Sequence, residues 1–97
     1  MSIVPSMGTF HQNKHELHGI TVVVDTDGAE IFVGRCHDMD DRRVVLHDVD
    51  VHRDGDEGRS KEDYVQRAAR FGVWKRHDHL VIDRRRVTSV RRLGEIA

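Results

Sequence analysis

Between Gly19 and Asp48 the chain alternates apolar and polar positions in short runs separated by turn residues, the pattern of an antiparallel meander. A first strand over about 17–26 puts Ile20, Val22 and Val24 on one face, with Leu17 and Val23 on the other. Asp27-Gly28 follows, a pair that tolerates the positive φ of a tight hairpin turn. A second strand spans about 29–37, with Ala29, Ile31 and Val33 on alternate positions. Gly34 inside it predicts a bulge or sharp bend, because a residue without Cβ lets a neighbouring backbone come close. Asp38-Met39-Asp40-Asp41 forms the next turn, and a third strand covers about 42–52. Strict alternation puts Val45, His47, Val49 and Val51 on one of its faces, and Val44, Leu46 and Asp48 on the other.

The period then changes. Arg53–Arg59 holds two glycines and no apolar residue, so it is a loop. Ser60 has the character of an N-cap, with Glu62 and Asp63 in the first turn of a helix that runs to about Phe71. Tyr64, Val65, Ala68, Ala69 and Phe71 form its apolar stripe, expected to pack over an open end or edge of the strands. Arg67 and Arg70 suit its C-terminal end, Gly72 its stop, and Val73-Trp74 is expected to pack back on that cap. A fourth strand over about 78–83 carries Leu80 and Ile82, and a fifth over about 85–93 carries Val87, Val90 and Leu93. Only Arg84 or so separates them. Residues 1–16, with Pro5 and Gly8, predict a loose arm or short helix. Residues 17–97 predict one domain, mostly β: a small five-strand barrel, with 53–77 as a loop and helix inserted between strands three and four.

At 97 residues the core is too small for much excess stability, which favours oligomerisation. With 37% hydrophobic and 34% charged residues, the composition is that of a soluble protein. No apolar run approaches the roughly 18 residues of a membrane span. The opening MSIVPSMGTFHQNKHE lacks the charged start and apolar core of a signal peptide. Cys36 is the one cysteine, so no internal disulfide forms; it is expected to be buried, and a cytoplasmic, reducing location is expected. Charge is lopsided: residues 1–65 hold 7 Lys/Arg against 14 Asp/Glu, and residues 66–97 hold 9 against 3. Such polarity favours pairing between the halves, head-to-tail contact between copies, or a basic face for nucleic acid.

Arg84, Arg85, Arg86, Arg91 and Arg92 put five arginines in nine residues. Guanidinium groups bind phosphate bidentately and stack on bases, which suits a single-strand surface. No aromatic residue is interleaved with them, so stacking would fall to Trp74, Phe71, histidine or arginine itself. The alternative is that they pair with Asp25, Asp38–Asp41, Asp48 or Asp50. His52, Asp54, His77 and His79 are the one metal-like constellation, but their spacing matches no closed zinc pattern. Surface histidines are the expected reading, with no metal and no cofactor. The chain has no Gly-rich phosphate loop, no Gly-x-Ser-x-Gly and no Cys-His signature, so no enzyme is expected.

Three meander strands, an insertion, and two strands joined by almost nothing make an order that resembles the Sm/LSm family. Asp27-Gly28, Gly34, Asp40, Leu46 and Asp48 look like positions of that family's first motif, and Leu80–Val90 resembles its second. The resemblance covers roughly 17–52 and 78–93 and implies an Sm-like or SH3-like barrel with ring assembly through strands four and five. It departs from the family where a base-contacting Asn is usual, since Arg42-Arg43-Val44 follows the turn. Asp83-Arg84 stands in place of the family's Arg-Gly pair, and only His37 or Arg42 approximates the stacking position. The expected function is a non-catalytic, ring-forming, homo-oligomeric RNA-binding protein using Arg42, Arg43, Arg84, Arg85 and Arg86 at a pore or rim. The alternative is a self-associating adaptor that docks a protein partner and no nucleic acid.

Overall fold

The computed structural model describes residues 17–96, so the expected arm over 1–16 lies outside it. The strands are β1 (Thr21–Thr26), β2 (Glu30–Met39), β3 (Arg43–Arg53), β4 (His77–Asp83) and β5 (Val87–Arg92), with helix α1 (Lys61–Phe71) between β3 and β4. All pairings are antiparallel, in the order β4-β3-β2-β1-β5.

The expected barrel is therefore corrected to an open five-strand sheet: β4 and β5 are its two edges and do not pair. The cause is the linker. Arg84–Arg86 forms a 3-10 turn, capped by Asp83, whose carboxylate accepts from the Arg85 backbone N–H at 2.9 Å. A primed hairpin turn would fold β5 back on β4; this turn sends it to β1 instead. The sheet nonetheless curls. Ten-residue β2 drawn straight would span about 30 Å. Yet the Arg84 N–H donates to the Arg42 carbonyl at 3.0 Å, beyond one end of β2, while Arg86 accepts from the Asp27 N–H at 2.9 Å, beyond the other.

Bulges permit that curvature. Gly34 lies opposite two residues of β3, Asp48 and Val49, because Val33 pairs with Asp50 and Arg35 with His47. Asp48 takes the extra position with φ 54°. A Cβ on Gly34 would meet Val49 at 3.1 Å and the His47 carbonyl at 3.2 Å, so a side chain there would crowd the bulge. The bulge also resets the faces of β3, which corrects the strict alternation expected there. Val49 and Val51 join Val44 and Leu46, with Val22, Val24, Phe32, Cys36 and Ile82, in one apolar cluster. Leu17 packs on this same cluster beside Ile20, not on the opposite face.

Val23, Ile31 and Val33 form a second cluster, covered by Val65 and Ala68 of α1. The helix thus roofs a sheet face, not an end or edge. Its start is fixed by Ser60, whose hydroxyl accepts from the Asp63 N–H at 3.1 Å. Lys61 ties that start to the hairpin, its Nζ reaching Asp25 Oδ1 at 2.7 Å and the carbonyls of Thr26 and Gly28 at 3.0 and 2.6 Å. Gly72, at φ 79°, ends the helix. Val73 packs back on the second cluster, but Phe71 and Trp74 do not: they are 72% and 79% exposed.

Candidate nucleic-acid interface

Two turns meet at one corner of the sheet. Asp40 organises the first: its Oδ1 accepts from the Arg42 and Arg43 N–H groups at 2.8 and 3.0 Å. The second is Arg84–Arg86, joined to it through the Arg42 carbonyl, with Arg84 Nη1 also 3.5 Å from the Asp40 carbonyl. Arg43 pairs with Asp83 across β3 and β4. The fold therefore brings Arg42, Arg43, Arg84 and Arg85 together, although the two groups lie some forty residues apart in sequence.

Their engagements differ. Arg42 and Arg43 are exposed, and neither side chain has an ion pair among the described residues. Arg85 is spent on Asp83, with Nη2 2.9 Å from Oδ2 and Nε 3.3 Å from Oδ1. That hydrogen bonding holds the Asp83 carboxyl below its usual range. Arg86 turns away to Glu30 at 2.8 Å and Asp27 at 3.7 Å, lowering the Glu30 carboxyl in the same way. Three of the acids expected as partners hold other cations: Asp25 holds Lys61, Asp48 holds Arg35, and Asp50 holds Arg76.

A cleft of about 610 Å³ lies between β3, α1 and the segment after the helix. Its floor is Asp50, 6% exposed, whose Oδ2 accepts from the Tyr64 hydroxyl at 2.7 Å. The other oxygen, Oδ1, has no hydrogen bond and lies 3.3 Å from Arg76 Nε. Burial, reinforced by the Asp50 carboxylate, pushes the Tyr64 hydroxyl pKa up, so it stays protonated as the donor. His52 stacks on Tyr64 with centroids 4.5 Å apart, and its Nε2 lies 3.0 Å from the Arg59 carbonyl.

The metal-like set is thereby separated. His52 is held in the cleft near the end of β3, whereas His79 pairs with His47, farther back along the strand. Among the described residues no group of three His, Cys, Asp or Glu is placed to hold a metal. Cys36 is buried, and that burial raises its thiol pKa.

The sequence did not announce a column of histidines across the sheet. His37 and His47 stack at 4.3 Å, with His18 5.5 Å from His37 and His79 5.3 Å from His47. Bulging of β2 at His37 brings the rings into line, a shift invisible to strict alternation. Burial first, then the charges of His37, His79 and Arg35, hold His47 below its ordinary 6.5, with Asp48 opposing. Unfolding restores the ordinary value. Below about pH 6.5 the unfolded chain thus takes up a proton that folded His47 still refuses. The His47 contribution to stability is full above that pH and falls as the pH drops through it towards the folded value. His47→Gln should flatten this fall, measured as a smaller loss of melting temperature between about pH 7.5 and about pH 5.5.

No family model matches the chain, and no curated protein does. A solved structure does: the Pyrococcus abyssii Sm protein in complex with a uridine heptamer, at TM-score 0.57 and 19% identity, covering 84% of this chain and 94% of that one. The chain has the fold of an Sm protein. Within this Sm fold the motif-like positions have physical tasks: Asp40 makes the turn, Gly34 accepts the bulge, and Asp48 occupies it with its carboxylate 2.9 Å from Arg35.

Proposed function

We propose that this protein is a non-catalytic, self-assembling, cytoplasmic RNA-associated protein of the Sm fold. The observation that carries this proposal is the pair Arg42 and Arg43, exposed at the tip of the Asp40 turn beside Arg84, whose guanidinium groups have no carboxylate partner among the described residues. An arginine without an anion, held on an ordered turn, is suited to a phosphate or a base face. Arg85 and Arg86 hold the second turn in place instead of meeting ligand. The likeness to an Sm protein seen with a uridine heptamer supports the same ligand class. Buried, unpaired Cys36 fits a reducing compartment.

Assembly follows from the edges. Among the described residues β4 and β5 each leave one side of their backbone unpaired by a strand, and they are different edges of one sheet. β4 of one copy added to β5 of the next makes a head-to-tail contact, which closes into a ring when the rotation per copy divides a full turn. Val81, 53% exposed on β4, lies at that seam. Val81→Lys places a charge at an edge strand and should reduce the assembly, by light scattering, to the 11.2 kDa of one chain. An unchanged mass sinks this seam. Binding of a single-stranded RNA that weakens with added salt tests the ligand. Retained assembly with no RNA binding at low salt favours the adaptor alternative.

A further inference from the structure

We infer that the C-terminal end of α1 and the segment after it form a second single-strand site, a stacking platform on which Trp74 and Phe71 receive bases. The inference rests on the RNA-associated reading but uses a different surface. Phe71, Trp74 and Val81 are the exposed large apolar residues among those described, and the first two stand three residues apart beside the cleft. Two neighbouring aromatic rings left in water forgo the stabilisation of burial, and such a pair marks a contact surface. Asp56 and Glu57 line the far wall of the same cleft, where Arg59 holds Glu57 at 2.7 Å, and the segment that carries the rings is cationic. From Tyr64 to His77 there is no Asp or Glu, while Arg67, Arg70, Lys75 and Arg76 all fall there. Arg67 and Arg70 lie 5.5 and 5.9 Å from the Phe71 ring centroid, and neither has an ion pair among the described residues. Arg76 is held by Asp50, which fixes where the chain leaves the cleft towards β4.

A surface of cations flanking exposed rings, with the nearest buried carboxylate already bound by Tyr64 and Arg76, suits phosphates interleaved with planar bases. A hydrophobic protein groove would not need four cations, and an acidic peptide would not need two bare rings. The insertion thus adds to the sheet a surface that the Asp40 and Arg84–Arg86 turns do not include.

Trp74 is the only tryptophan, so its fluorescence reports this site alone. The full chain is titrated with a uridine heptamer and an adenosine heptamer at low salt, while anisotropy of a labelled copy reports total binding. Both oligonucleotides should quench Trp74 in step with the anisotropy, since every base offers a π-face. Trp74→Ala should weaken binding by about 5- to 150-fold at unchanged melting temperature. Arg67→Ala/Arg70→Ala should weaken it and flatten its salt dependence. Binding that leaves Trp74 unquenched and Trp74→Ala unaffected overturns this site and leaves the turn arginines standing. No binding at all removes both. Trp74 emission that changes on dilution without RNA assigns the patch to contact between copies and also overturns the inference.

Discussion

Leu46→Ala should lower the free energy of unfolding by about 3 kcal/mol, read as a shift of the urea midpoint at unchanged slope. Leu46 is fully buried between Cys36 of β2 and Leu80 of β4, in the cluster that also holds Val22, Val44 and Ile82. The curled sheet clamps that cluster from several strands, so the void left by the missing carbons cannot collapse readily. Against the roughly 5–15 kcal/mol of a typical domain, this is a large share. Val49→Ala provides the sharper contrast. With the bulge at Asp48, Val49 faces the same cluster and its truncation should cost about 2 kcal/mol. Under unbroken alternation Val49 would sit beside half-buried His47, and the cost would fall below about 0.5 kcal/mol. Comparable losses for the two variants support the reset faces; a silent Val49→Ala contradicts them.

Arg42→Ala/Arg43→Ala should weaken single-stranded RNA binding by about 25-fold near 0.1 M salt. Each phosphate contact on a single strand releases about 0.7 counterion, which is roughly a five-fold contribution at that concentration, and two contacts multiply. The slope of log affinity against log salt should fall by about 1.4. Both side chains are exposed, and the turn is held by their backbone N–H groups on Asp40, which alanine keeps. Melting temperature should therefore not move. Arg85→Ala, by contrast, removes a group paired with Asp83 and should leave affinity nearly unchanged. Equal losses for the two variants would mean that general charge, not the Asp40 turn, governs binding.

Much of the fold was legible because it is local. Alternation at Val22 and Val24, the Asp27-Gly28 turn, the Ser60 cap and Gly72 each act within a few residues, and the strands and helix fall close to where these signals put them. What was not legible is the curvature. One extra residue at Asp48 and another at His37 turn the faces of β3 and β2, and no periodicity records that before pairing is known. Barrel closure failed for a related reason: Arg84–Arg86 has the length of a hairpin turn, and only its 3-10 conformation sends β5 to β1. For the arginines, clustering in sequence anticipated that they share a corner of the sheet but not which of them pair with acids. Arg85 and Arg86 are consumed by Asp83, Glu30 and Asp27, partners that sequence distance hides. Trp74 and Phe71 looked like core and are surface, because the helix stripe is already filled by Val65 and Ala68.

The most direct measurement is light scattering on a sizing column of the protein mixed with a uridine heptamer at low salt, with absorbance followed at the nucleic-acid and protein maxima. A peak at a multiple of 11.2 kDa that carries the oligonucleotide is the predicted result. A peak at 11.2 kDa, with the oligonucleotide eluting apart from it, would contradict the account.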